Sequence, residues 1–216
     1  MKHLILYDLD GTLVDTLADI AEAVNVMLRA LGASPVPSRE VRRHIGCGVH
    51  ELVKACLKTD VVDTIEQGVT LYRAHYTAHL VDHSRLYPRT HDVLEYFKTR
   101  RQGVITNKPD PYASDILTAL GVAEYFFEIV AGNSVYPKKP QPDSLRALMR
   151  QAGVGPQDTV FIGDSPIDIH AGRAAGVLTI TVRHGFSDEA EILSASPDHT
   201  VQDFEELLAL AAHERW

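Results

Sequence analysis

Short apolar runs alternate along the chain with longer stretches in which apolar residues recur at every third or fourth position. The runs "LILY" (4–7), "GVIT" (103–106), "FEIVAG" (127–132), "TVFIG" (159–163) and "VLTITV" (177–182) have strand length. Each gives way to polar or turn residues and then to a helical pattern. Such alternation predicts a mostly parallel sheet covered by helices.

Residues 16–85 depart from that rhythm. "TLADIAEAVNVMLRALG", "VHELVKACLK" and "DTIEQGVTLYRAHYTAHL" all carry helical spacing, and no strand-like run separates them. Pro35, Pro37 and Ser38 punctuate the first turn of this region, and "RLYPRT" marks the return. The pattern therefore predicts two units: residues 1–15 with 86–216, and an all-helical insertion over 16–85 that follows the first strand. There is no internal repeat and no low-complexity tract.

Composition narrows the partners. In 216 residues, 21 Lys plus Arg stand against 29 Asp plus Glu, and a formal charge of -8 disfavours nucleic acid and anionic membranes. The basic runs "VRRH" and "KTRRQG" read as solvated helix ends. Cys47 and Cys56 form no C-x-x-C pair, and no secretory or transmembrane segment is apparent, so a reducing cytoplasm is expected.

The polar residues at the ends of the apolar runs are the chemical candidates, because open parallel sheets bind ligands at the carboxyl ends of their strands. Asp8 and Asp10 follow "LILY" two residues apart, which in a continuing strand would put both on one face, and Gly11 permits a sharp turn. A D-G hairpin turn is the plainer reading. A calcium loop is excluded, since its sixth position would be Leu13 rather than glycine. Thr106, Asn107 and Lys108 end the second core strand, and Lys138 and Lys139 precede a helix starting near Pro142. In "TVFIGDSPIDIHAGRAAG" the strand ends at Gly163-Asp164, Pro166 suits a first helical turn, and Asp168 lies one turn after Asp164. Asp164 or Ser165 could cap that helix, which explains one acid but not both. His75, His79 and His83 are spaced to share a helical face, as exposed surface or as transition-metal ligands.

Taken in order, "DLDGT", "TNK", "KKPQP" and "GDSPID" resemble the motifs of the haloacid dehalogenase-like superfamily, over essentially the whole chain. The resemblance implies a Rossmann-like α/β core, with the helical insertion as a cap. It implies that Asp8 is a nucleophile that takes up a phosphoryl group, and that Asp10 acts first as acid and then as base. Mg2+ is the implied cofactor, held by Asp8, the backbone carbonyl of Asp10 and Asp164, with Asp168 acting through water or by orienting the site. Thr106 and Asn107 would donate to phosphoryl oxygens, and Lys139, directly before Pro140, would neutralise charge there. Haloacid dehalogenases and phosphonate-cleaving members of the superfamily lack an acid at the position of Asp10, so its presence favours phosphomonoesters. The passage "KTRRQGVITN" from helix to second strand is shorter than is usual in the family.

"RRHIGCGVHEL" resembles the cap loop of phosphoglycolate phosphatases. Arg43, His44, Gly46, Gly48 and His50 are the candidate substrate contacts, although the glycines could merely end a helix. The expected activity is hydrolysis of a small phosphorylated metabolite, phosphoglycolate foremost, by a monomer or homodimer. A sugar-phosphate mutase of the β-phosphoglucomutase kind has nearly the same first motif, and a non-catalytic phosphate-binding protein is the remaining alternative.

Overall fold

The computed structural model describes every residue, Met1–Trp216. In chain order, β1 (Leu4–Tyr7) is followed by the short strand β2 (Val14–Asp15), the helices α1 (Leu17–Ala30), α2 (Ser38–Arg42), α3 (Val49–Leu57) and α4 (Val62–Ala78), and the short strand β3 (Arg85–Leu86). Then come α5 (Thr90–Tyr96), β4 (Arg101–Ile105), α6 (Tyr112–Ala119), β5 (Glu128–Val130), α7 (Asp143–Ala152), β6 (Thr159–Gly163) and α8 (Pro166–Ala175). The chain closes with β7 (Leu178–Val182), α9 (Glu189–Ala195), β8 (His199–Val201) and α10 (Phe204–His213).

This is an α/β fold built on one six-stranded parallel sheet in the order β5-β4-β1-β6-β7-β8. Burial on both faces explains why "LILY" lacks polar alternation. Ile5 and Tyr7 pack with Val93, Leu94, Phe97 and Phe204 on one side. Leu4 and Leu6 pack with Leu145, Leu148 and Phe161 on the other. In register, Tyr7 lies beside Val104 of β4 and Ile162 of β6, so the residues just past Tyr7 emerge between the ends of both neighbours.

Helices α1–α4 bury a cluster of their own, in which Val24, Met27, Val53, Val69 and Tyr76 meet. Both passages between this layer and the sheet run through the antiparallel pair β2–β3, with Val14 opposite Leu86 and Asp15 opposite Arg85.

Several local readings change. β4 begins at Arg101, two residues before the apolar run, so "RRQG" is partly strand and not a solvated helix end. Gln102 is buried there because Tyr7 Oη donates to its Oε1 at 2.9 Å and its Nε2 donates to the Leu94 carbonyl at 2.9 Å. A polar side chain thus meets its hydrogen-bonding needs inside the sheet, where an apolar pattern cannot register it. Strands β2, β3 and β8 are two or three residues long, too short to carry a periodicity in the sequence. Helix α4 stops at Ala78, so His79 caps it and His83 lies beyond it, and the three histidines do not share a helical face. The His75 and His79 rings stack at 4.3 Å, His79 pairs with Asp82 at 2.7 Å, and the backbone of His83 donates to Asp19. No helix is long and apolar enough to cross a membrane.

Candidate active site

β1 ends at Tyr7 and the chain folds back at once: Val14 N–H donates to the Leu9 carbonyl at 3.1 Å and Gly11 N–H to Val14 at 2.9 Å. The strand does not continue through Asp10, and the two acids find different partners. Gly11 has φ of +82°, and a Cβ there would fall 2.3 Å from Asp164 Oδ2. The glycine therefore serves both the turn and the close approach of a carboxylate.

Asp8, Asp164 and Asp168 are all buried, and each offers an oxygen within 4.8 Å of the others. A single ammonium enters this group: Lys139 Nζ lies 2.8 Å from Asp8 Oδ1 and 2.6 Å from Asp168 Oδ1. Lys138, by contrast, is exposed and points at Gly48. Leu9 N–H also donates to Asp8 Oδ1, at 2.7 Å, whereas Asp8 Oδ2 has no partner in the chain. Asp164 accepts from Phe186 N–H at 2.7 Å and from the Thr12 hydroxyl at 3.2 Å. Asp168 closes a capping box at the start of α8, where Ser165 is the N-cap and its hydroxyl donates to Asp168 Oδ2 at 2.6 Å.

Burial pushes Asp8 up to about 7, against the pull of Lys139 and with repulsion from Asp168 and Asp10. Asp164 is raised well above the usual carboxylate range, first by burial and then by Asp168 and Asp8. Burial works against the charge of Lys139, but Asp168 and Asp8 together hold its pKa above the ordinary lysine value. Three hard oxygen donors facing one ammonium suit a divalent cation such as Mg2+.

Asp10 is held on the other side. Thr16 Oγ1 donates to its Oδ1 at 2.7 Å, and Lys108 Nζ lies 3.0 and 3.3 Å from its two oxygens. The same ammonium meets Tyr76 Oη at 2.7 Å, which links the sheet to α4. Lys108 was legible only as the residue after Thr106-Asn107, and nothing in the sequence pairs it with Asp10, Thr16 or Tyr76. Lys108→Met should cost about 3 kcal/mol in urea unfolding by leaving a largely enclosed carboxylate without its cation. An unchanged unfolding midpoint would contradict that pairing.

Thr106 and Asn107 sit just past β4. The Thr106 hydroxyl accepts from Lys108 N–H at 3.1 Å and keeps its own proton to donate. The Asn107 amide is spent inside the chain: it donates to the carbonyls of Gly46 at 2.8 Å and Lys139 at 3.0 Å and accepts from Lys139 N–H at 2.9 Å. The side chain is thus committed within the chain, and the remaining donor of Asn107 is its backbone N–H.

Two cavities meet at Asp8 and Asp10. One is lined by His44, Gly46 and Gly48 together with Tyr72, Tyr76 and Tyr112. The other is more polar and includes Arg42, Arg43, Asp164 and Ser165. His50 borders neither. It sits exposed in the first turn of α3, 3.2 Å from Glu66 of α4.

A family model described as haloacid dehalogenase-like hydrolase matches residues 5–182. The chain belongs to that family. This haloacid dehalogenase-like hydrolase is 35% identical over 218 residues to a phosphoglycolate phosphatase of Pseudomonas putida, covering 96% of this chain and 79% of the relative. It is 37% identical over 191 residues to a phosphoglycolate phosphatase of Neisseria meningitidis, covering 85% of this chain and 81% of that one. The crystal structure of a predicted phosphoglycolate phosphatase from Haemophilus somnus matches with TM-score 0.92 at 30% identity, over 97% of this chain and 98% of the other. With these relatives, the enzyme is a phosphatase.

Proposed function

We propose that this phosphatase hydrolyses a small phosphomonoester, phosphoglycolate foremost, through a phosphorylated Asp8. The observation that carries the reading is the state of Asp8: one oxygen is held by Lys139 and Leu9 N–H, the other has no partner, and a second acid stands two residues away. Relatives named phosphoglycolate phosphatase support the choice of substrate.

Asp8 Oδ2 attacks phosphorus, the ester P–O bond breaks, and Asp10 gives its proton to the leaving oxygen. Asp10 must leave Lys108 and Thr16 to reach that oxygen. It then takes a proton from water as the water oxygen bonds to phosphorus and the Asp8 acyl phosphate breaks, releasing phosphate. Thr106 Oγ1 and the Asn107 N–H donate to the phosphoryl oxygens, and Lys139 offsets their charge beside Asp8. Asp8, Asp164 and the Asp10 carbonyl would hold Mg2+, with Asp168 orienting the site, and the cation would supply further charge neutralisation at the phosphoryl group. The α1–α4 layer, inserted over residues 16–85, covers the leaving group, with Arg43, His44, Gly46 and Gly48 nearest to it.

The test is a phosphomonoester panel of phosphoglycolate, sugar phosphates and nucleotides, run with Mg2+ and with chelator. Phosphoglycolate should give the highest kcat/KM and chelation should abolish turnover. Full activity after chelation, or no turnover of any ester, would refute the reading.

Cation and proton compete for the same buried oxygens, which sets a pH dependence. In metal-free protein Asp8 titrates at about 7 when folded, against an ordinary value near 4. The folded state then holds a proton that the unfolded state has lost, so this group's contribution to stability falls as pH rises from about 4 to about 7. Mg2+ should therefore raise Tm more at pH 8 than at pH 5, and equal shifts would contradict the assignment.

A further inference from the structure

Arg42, in the last turn of α2, reads in the sequence as part of a solvated basic run. The structure gives its guanidinium two specific acceptors across the interface between the helical layer and the sheet. Its Nε donates to the Phe186 carbonyl at 2.5 Å and a terminal nitrogen donates to the Gly185 carbonyl at 3.0 Å. These two carbonyls belong to the turn that follows β7, and that turn is built onto Asp164. Phe186 N–H donates to Asp164 Oδ2 at 2.7 Å, and Gly185 is packed so closely that a Cβ there would lie 2.2 Å from Asp164 Cβ. Four residues after Arg42, the Gly46 carbonyl accepts from Asn107 at the end of β4. The 42–46 segment is thus fastened to strand ends on both sides of Asp8.

We propose that Arg42 is a positioning residue that couples the seating of the helical layer to the acidic cluster. By gripping two consecutive carbonyls with one planar fork, it fixes the 185–186 turn and, through Phe186 N–H, the direction of the Asp164 carboxylate. When the layer lifts, the grip is lost and Asp164 is held by the Thr12 hydroxyl and an unbraced turn. Docking of the layer over a substrate and completion of the cation site then become one event. The inference rests on the reading above, in which Asp164 is a ligand of the divalent cation.

Binding of Mn2+ to the full chain, followed by electron paramagnetic resonance, tests both ideas separately when wild type is compared with Arg42→Gln, Arg42→Lys and Asp164→Asn. Arg42→Gln should weaken Mn2+ binding by roughly tenfold, at the low end of what supporting partners of metal ligands contribute. The Mg2+ concentration for half-maximal activity should rise by the same factor. Arg42→Lys keeps the charge but loses the fork, and should fall between. Tm should move little in either variant, because Arg42 is only half-buried. Wild-type Mn2+ affinity in Arg42→Gln, alongside its loss in Asp164→Asn, would overturn the role of Arg42 and leave the cluster assignment standing. A weakening that merely follows a fall in Tm would make Arg42 structural and overturn it as well. Wild-type affinity in Asp164→Asn would overturn the cluster assignment itself.

Discussion

Asp8→Asn is expected to lower kcat by about 10⁴-fold or more and to leave no phosphorylated protein after rapid quenching. The substitution preserves size and keeps an oxygen for Lys139 and Leu9 N–H, so the loss isolates the proposed nucleophilic role and not the packing. It also removes one of three crowded carboxylates, whose ionised form burial already disfavours. Tm in chelator should therefore hold or rise even as activity disappears. Parallel measurement of turnover, phosphoenzyme by mass spectrometry and thermal unfolding separates these effects. Normal turnover in the variant would place the nucleophile elsewhere.

Lys139→Met should instead damage both properties. Lys139 is almost fully enclosed, and its ammonium is the one cation of the chain shared by Asp8 and Asp168. Removing one partner from a buried ionic group leaves the others uncompensated, which costs about 3–5 kcal/mol. Saturating Mg2+ should recover part of that stability, because it addresses the same excess of negative charge. It should not restore turnover, expected to fall by about 10³-fold, since the charge proposed to sit beside the transferring phosphoryl group is gone. Urea unfolding with and without Mg2+, set beside kcat on the preferred ester, checks both parts. Retention of activity and stability together would mean that Lys139 is a bystander.

The sequence by itself determined the alternation of the main strands with helices and the positions of the acids that follow those strands. Apolar runs long enough to cross a sheet announced β1, β6 and β7, because burial on both faces demands uninterrupted apolar side chains. Polar residues directly after those runs announced Asp8 and Asp164, since parallel strands deliver their carboxyl ends to one edge. Helical spacing over 16–85 likewise announced a layer able to bury its own faces.

Pairing was decided only by the tertiary structure. Asp10 and Lys108 are 98 positions apart, Lys139 and Asp168 are 29, and no local periodicity relates such residues. The three-residue strand β8, the strand residue Gln102 and the break of α4 at Ala78 depend on neighbours that exist only after folding. The same holds for where neighbouring side chains point. His50 and Arg42 stand eight positions apart in one basic, glycine-containing stretch. The direction of α3 turns His50 toward Glu66, while the end of α2 delivers Arg42 to the carbonyls of Gly185 and Phe186. Composition and spacing state which chemistry a side chain can do; the backbone path around it states what that side chain can reach.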